Sequence, residues 1–248
     1  VGREVFVAQV LILPAAIDCD PSEVALTWSL LAAAGHDVIL ATPTGDPPKA
    51  DPRMLTGAGL GPLAPVLAAR TDARDAWQQL ENSDAYHNTK AVVAVDVDAC
   101  AAVVFPGGHA KGMRAYLESV EVQAVARAAF AQNKVVGAIC HGVVVLARAG
   151  VLKGRRTTSL TRTQEMLAWQ LTRLWLGDYY RTYPQTVEDE VRAALASDAD
   201  YDEGPLAVLR DDAGHEDRGF VVEDGNYVSA RWPGDCYRFA HALLTRLA

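Results

Sequence analysis

Three things are scarce in this chain: clustered basic residues, closely spaced cysteines and long apolar runs. The first scarcity excludes a nucleic-acid function. Lysine and arginine number 23 against 31 acidic residues, a formal net charge of −8 with a pI near 5.2, and the densest basic stretch is Lys153, Arg155 and Arg156 with no aromatic between them. A nucleic-acid site needs a basic stripe that releases counterions, so these three read as one solvated turn. The second scarcity excludes a zinc module or a dense disulfide framework: Cys19, Cys100, Cys140 and Cys236 are far apart and form no CxxC pair. No His/Asp/Glu spacing suggests a metal site, and no cofactor is expected. The third excludes a membrane-spanning helix, because no segment approaches the roughly 18 apolar residues that one requires. Residues 5–13, with Arg3 before them and Pro14 after, imitate a short secretory signal. They read better as a buried parallel strand, and Asp18 directly before Cys19 spoils a lipoprotein-type cleavage site. The expectation is a cytoplasmic protein that acts on a small molecule, with no nucleic-acid or membrane partner.

What is present is a large apolar fraction. Half of the 248 residues are hydrophobic and 22% are charged, the balance of a globular protein with a sizeable core, and the length suits one α/β domain over 1–248. Period and punctuation give alternating strands and helices. A strand at 5–13 precedes a helix at 21–34 stopped by Gly35, then a strand at 38–42. The Pro- and Gly-rich residues 43–65 read as a surface loop, and 70–80 as an amphipathic helix. Residues 99–105 form a buried strand ending in Pro106-Gly107-Gly108-His109, followed by a helix at 120–132. A strand at 135–139 runs into Cys140-His141-Gly142 and a helix at 143–149. Residues 163–196 read as a helical elaboration, with helices at 164–176 and 187–196 and an aromatic turn between them. A hairpin about Asp224-Gly225-Asn226 and a helix at 235–247 close the chain. Strands alternating with helices imply a mostly parallel sheet covered on both faces, with ligands bound beyond the carboxyl ends of its strands.

Three features carry chemistry. In Gly137-Ala138-Ile139-Cys140-His141-Gly142 a strand turns sharply into a helix with a nucleophile at the bend, the GxSxG elbow with Cys in place of Ser. At a helix N-terminus a thiol is expected to have a lowered pKa; the alternative is that Cys140 is a small buried hydrophobe. The glycines of Phe105-Pro106-Gly107-Gly108-His109 allow backbone N–H groups to approach a ligand, and Gly108 with His141 could form an oxyanion pocket, unless the segment is an ordinary tight turn. Asp20-Pro21-Ser22-Glu23 starts a helix with a capping box, but Glu23 also lies on the same sheet edge as Cys140, where a protonated carboxyl could hydrogen-bond a thiolate or move a proton.

Glu23 twelve residues before Gly35, the Phe105-Pro106-Gly107-Gly108-His109 turn, the Ala138-Ile139-Cys140-His141-Gly142 elbow and Ser229-Ala230-Arg231-Trp232-Pro233-Gly234 before the last helix together resemble the ThiJ/PfpI superfamily, a class I glutamine-amidotransferase-like group. In motif they are nearest its glyoxalase III-like members. The resemblance implies a flavodoxin-like fold, a homodimer, Cys140 as nucleophile, Glu23 on its sulfur, and an anion pocket from Gly108 and His141, with Gly107 and His109 beside it. It implies glyoxalase III-like conversion of methylglyoxal to lactate; amide or isocyanide hydrolysis or hydration and redox-responsive chaperoning are the alternatives in the same superfamily. A histidine that some members carry in the stretch matching Thr157-Thr158-Ser159-Leu160-Thr161-Arg162 is missing here. Glu165 and Asp178 are the nearest candidates for an acid behind His141, or none exists. His215-Glu216 reads as part of a solvated polar run over 210–218. Cys19 could sit at the same mouth as a second thiol, and Cys100 and Cys236 read as structural. Trp169, Trp175, Tyr179, Tyr180 and Tyr183 either wall a pocket or pin the elaboration to the domain.

Overall fold

A computed structural model describes residues 7–206 and 209–248; residues 5 and 6 of the expected first strand lie outside them. The first strand, β1 (Gln9–Ile12), leads into α1 (Pro21–Ala33) and β2 (Asp37–Thr42). Four helices follow, α2 (Pro52–Thr56), α3 (Ala64–Leu67), α4 (Thr71–Glu81) and α5 (Asp84–His87), then the two-residue β3 (Lys90–Ala91) and β4 (Ala102–Phe105). Next come α6 (Arg114–Leu117), α7 (Val120–Ala131), β5 (Val135–Ile139) and α8 (Gly142–Ala149). The elaboration supplies α9 (Arg162–Leu176) and α10 (Val187–Ala194). A hairpin of β6 (Val221–Asp224) and β7 (Tyr227–Ala230) and the helix α11 (Cys236–Leu247) complete the fold.

The strands form one sheet in the order β3-β2-β1-β4-β5-β7-β6. Every pairing is parallel except β6 with β7. This is the flavodoxin-like α/β architecture expected from the sequence. The inner strands are buried along nearly their whole length, as Val10, Leu11 and Ile12 of β1 and Ala102–Phe105 of β4 illustrate. Each large apolar side chain so placed contributes about 1.5–3 kcal/mol. Gly137 in β5 has a packing role: a Cβ there would come within 2.8 Å of Phe239 and 3.0 Å of Leu243, so its absence lets α11 lie close against the sheet.

The chain reverses its direction of travel across the sheet between β1 and β4, and at that switch point the ends of neighbouring strands open a crevice. The stretch 43–65 is a correction to the sequence reading. Rather than a bare surface loop, it holds α2 and the start of α3 and buries Met54 and Leu60. Asp51 caps α2, its Oδ1 accepting from the Arg53 N–H at 2.9 Å. With Tyr180 and Ala68, Met54 and Leu60 form a small second apolar cluster, one side of the crevice.

Candidate active site

Cys140 stands where β5 ends and α8 begins, with φ at +58°. For a residue with a Cβ this conformation costs on the order of 1–3 kcal/mol, and the surroundings impose it. The Cys140 N–H donates to the Ala230 carbonyl of β7 at 3.1 Å, and two residues on, Gly142 packs directly against the Phe105 carbonyl at the end of β4. A Cβ on Gly142 would overlap that carbonyl. Gly142→Ala is therefore expected to lower stability by about 1–3 kcal/mol, read as a shift in the urea midpoint, and to slow alkylation of Cys140 by displacing the bend; an unchanged midpoint would show that the elbow has slack.

Gly107 closes the other side of the bend. Its N–H donates to Glu23 Oε2 at 2.7 Å, and a Cβ on it would lie 2.7 Å from the His141 nitrogen and 3.0 Å from Cys140 Cβ. Gly108 has φ +146°, and its own Cβ would meet the Asp18 carbonyl at 2.6 Å. Glu23 is fully buried, and its Oε1 has no hydrogen-bond partner among the described residues. Burial, and then the charge of Asp20, push the Glu23 carboxyl well above the usual range, which favours its protonated form. Asp20, whose Oδ1 accepts from the Ser22 and Glu23 N–H groups, is pushed up to about 6 by burial.

The expected lowering of the Cys140 pKa is not what the site produces. Burial, followed by the negative charges of Glu23 and Asp20, pushes the thiol up, against a pull downward from the His141 N–H. A helix N-terminus favours a thiolate, but here desolvation outweighs it. Protonation of Glu23 removes the larger of the two repelling charges, so the carboxyl proton and the thiolate belong to one coupled unit.

The His141 ring lies beside the thiol. Its Nδ1 is 3.5 Å from Cys140 Sγ, and its Nε2 is 3.0 Å from Thr182 Oγ1. Thr182 Oγ1 also hydrogen-bonds the His109 carbonyl. A carbonyl only accepts, so the one hydroxyl proton of Thr182 goes there, and toward His141 the oxygen is an acceptor. Nε2 must therefore carry the ring proton, which leaves the Nδ1 lone pair facing the thiol. Burial lowers the His141 pKa to about 3, so the ring is neutral and this tautomer is the resting one. Among the described residues no acid takes the position behind the imidazole: Glu165 Oε2 accepts from the Val187 N–H at 2.9 Å, and Asp178 Oδ1 accepts from Trp169 Nε1 at 3.1 Å. A hydroxyl from the elaboration stands there instead. Nothing in the motif Tyr180-Arg181-Thr182-Tyr183 announces it, because the contact joins residues 41 apart.

Beyond Cys140 lies a cavity of about 210 Å³ that Cys140 and His109 line together with Asp20, Met54, Tyr180 and Trp232. Glu23, Gly107 and His141 pack around the bend that carries the thiol. His109 is stacked on Tyr180 with ring centroids 4.4 Å apart and meets Tyr179 edge-on; burial lowers its pKa to about 4. Arg210 also reaches the cavity, a correction to the reading of 210–218 as one solvated run. Its Nη2 donates to the Val66 and Leu67 carbonyls, whereas His215 farther along is exposed beside Asp212. Of the other aromatics, Trp175 Nε1 donates to the Gly59 carbonyl and Tyr183 OH to Glu118, so they pin the elaboration down. Cys19 is buried, with its Sγ 3.5 Å from the Lys49 carbonyl; Cys100 and Cys236 are also free and buried. No cluster of three or more potential metal ligands occurs among the described residues, and no described helix is long and apolar enough to cross a membrane. A larger hollow of about 700 Å³, lined by Asp18, Asp51, Arg53, Lys111, Asp178 and Tyr179 among others, has no cysteine, serine or threonine among its described lining residues.

The strained cysteine at the elbow, with the glycine turn beside it, is matched along almost the whole chain by one family model, over residues 8–246. The chain belongs to the DJ-1/PfpI family. Among curated DJ-1/PfpI-like relatives, a deglycase of Thermococcus kodakarensis is 32% identical over 153 residues, covering 62% of this chain and 66% of its own length. The PfpI deglycase of Pyrococcus furiosus is 34% identical over 159 residues with the same coverage. The chain thus matches slightly less than two thirds of these relatives' length. Among solved structures, the Rapid Encystment Protein 24 kDa of Francisella tularensis superposes with a TM-score of 0.69 at 18% identity, over 97% of this chain and 99% of that one. Glyoxalase III of Candida albicans gives a TM-score of 0.67 at 17% identity, over 96% of each chain. At such identities these two likenesses concern the fold alone.

Proposed function

We propose that this DJ-1/PfpI protein is a cofactor-free, cysteine-dependent enzyme that converts 2-oxoaldehydes to 2-hydroxy acids, in the manner of glyoxalase III. The observation that carries the reading is the disposition about Cys140: a neutral imidazole with its lone pair facing the thiol at 3.5 Å and a buried carboxyl beside it with one oxygen unpartnered. The thiol proton passes to His141 Nδ1 as sulfur bonds to the aldehyde carbon. The carbonyl electron pair becomes an oxyanion held by the Gly108 and His141 N–H groups; the Gly107 N–H is already engaged by Glu23. Glu23 or His141 then moves the proton from the former aldehyde carbon to the neighbouring carbonyl carbon. One carbon is oxidised as the other is reduced, which gives a thioester of the 2-hydroxy acid, and water cleaves it to release the acid and restore the thiol. No outside oxidant or reductant enters. The deglycase names of the curated relatives favour a second reading, release of the same carbonyl group from an adduct, which shares the first bond to Cys140. The reading also carries over the superfamily's homodimer. Turnover of methylglyoxal, with lactate identified by NMR, tests the reading; no lactate above the uncatalysed rate, or lactate formed equally fast by Cys140→Ser, rejects it.

Thr182 is proposed as a positioning residue for the His141 tautomer. Thr182→Val keeps the shape but removes the acceptor at Nε2, and kcat/KM is expected to fall about 10- to 100-fold, with ¹⁵N shifts of His141 moving toward a mixture of tautomers. Thr182→Ser should restore both. Wild-type rate and wild-type tautomer in Thr182→Val would remove this role.

A further inference from the structure

The cavity beyond Cys140 is mostly hydrocarbon. Met54, Leu63, Val66 and Leu67 line it together with Leu160, Leu167, Ala168 and Leu171, and Trp232 and Pro233 complete the apolar lining. Val66, Leu167 and Leu171 are also largely exposed, so the cavity opens between α3 and α9 through a greasy mouth. Of the ionisable groups in the walls, burial raises Glu165 to about 7 and Asp20 to about 6, while Arg210, held by the Val66 and Leu67 carbonyls, stays a cation. The hydrocarbon that makes up most of the lining hydrates poorly, and a ligand that covers it gains from each apolar group it removes from water.

A second observation concerns polar atoms. His109 Nε2, Gln164 Nε2, Tyr180 OH and Trp232 Nε1 are buried and have no hydrogen-bond partner among the described residues, and all four residues line this cavity. Unpartnered buried donors are costly. Gln164 Nε2 and Trp232 Nε1 can only donate, so a ligand that satisfies them must bring oxygen acceptors as well as an apolar body.

We infer that the substrate is a 2-oxoaldehyde carrying an aryl or branched-alkyl group, its aldehyde carbon at Cys140, its oxygens the acceptors for the unpartnered donors and its apolar group held by Met54, Leu67, Leu160 and Leu171. Methylglyoxal would leave most of these walls uncovered. The inference rests on the reading of Cys140 as a carbonyl nucleophile and deepens it. The chemistry is unchanged: R–CO–CHO and water give R–CHOH–COOH through the thioester on Cys140.

The test compares phenylglyoxal with methylglyoxal as substrates of the wild-type protein and, separately, the binding of mandelate with that of lactate by titration calorimetry on Cys140→Ala, where no chemistry intervenes. The expected result is a kcat/KM at least about tenfold higher for phenylglyoxal and mandelate bound at least about tenfold tighter than lactate. Leu67→Gln should lower the phenylglyoxal value several-fold more than that of methylglyoxal. Equal or reversed preference, with turnover still dependent on Cys140, overturns the substrate assignment and leaves the nucleophile reading standing. If neither aldehyde is turned over, the nucleophile reading fails, and the binding arm alone decides: tighter mandelate supports an apolar ligand in this cavity, and equal or weaker mandelate overturns it.

Discussion

Cys140→Ala is expected to reduce 2-oxoaldehyde turnover by about a thousandfold or more while leaving the protein folded. The size of the effect follows from the covalent step: without sulfur there is no bond to the aldehyde carbon, and what remains is binding plus the oxyanion donors. Stability should change little, because alanine keeps a Cβ in the φ +58° conformation that the neighbouring contacts impose on Cys140. Equal urea midpoints for the two proteins, beside unequal rates, would separate loss of chemistry from loss of fold. Alkylation gives an independent readout. Cys140 lines the cavity, whereas Cys19, Cys100 and Cys236 are buried elsewhere, so iodoacetamide should modify Cys140 first and abolish turnover in proportion. Turnover that survives complete modification of Cys140 would refute the assignment.

The second large effect concerns stability. Arg231 and Asp235 form a doubly hydrogen-bonded ion pair, Nε to Oδ2 and Nη2 to Oδ1 each at 3.0 Å, and the two side chains are 2% and 0% exposed. Asp235 also accepts from the backbone N–H groups of Phe220 at 2.9 Å and Arg231 at 3.1 Å. Burial nonetheless keeps the Asp235 carboxyl above its ordinary value despite the arginine, so the attraction does not outrun the cost of desolvation. Removing one partner should therefore be worse than removing both. Asp235→Ala leaves a guanidinium uncompensated in the interior and is expected to cost about 3–5 kcal/mol, measured by urea unfolding. Arg231→Met combined with Asp235→Ala is expected to cost less than Asp235→Ala alone. The pair spans the turn that carries Trp232 and Pro233 into the cavity wall, so the single variant should also raise KM. A double variant less stable than Asp235→Ala would mean that the other hydrogen bonds of Arg231, to the Glu203 and Pro205 carbonyls, outweigh the cost of its uncompensated charge.

Much of the architecture was legible because burial writes itself into local sequence. Continuous apolar runs bounded by glycine and proline marked β4 and β5, and the glycines flanking Cys140 marked the elbow, since only glycine fits against the Phe105 carbonyl at position 142. Residues 43–65 misled for a related reason: their prolines and glycines break long elements but are compatible with the short α2, which starts at Pro52 behind the Asp51 cap. The two-residue β3 is too short to have a period.

The sequence by itself determined the parallel α/β sheet, the strand-to-helix bend with Cys140 at it, and the glycine turn at 107–108, because each depends on residues close together in the chain. Only the tertiary structure decided what surrounds the thiol. Thr182 behind His141, Arg210 and Met54 in the cavity wall, and the burial that raises Cys140 and Glu23 while lowering His141 all come from segments far apart in sequence. A pKa or a tautomer depends on distances and on water removed from a site, and neither quantity has a local pattern.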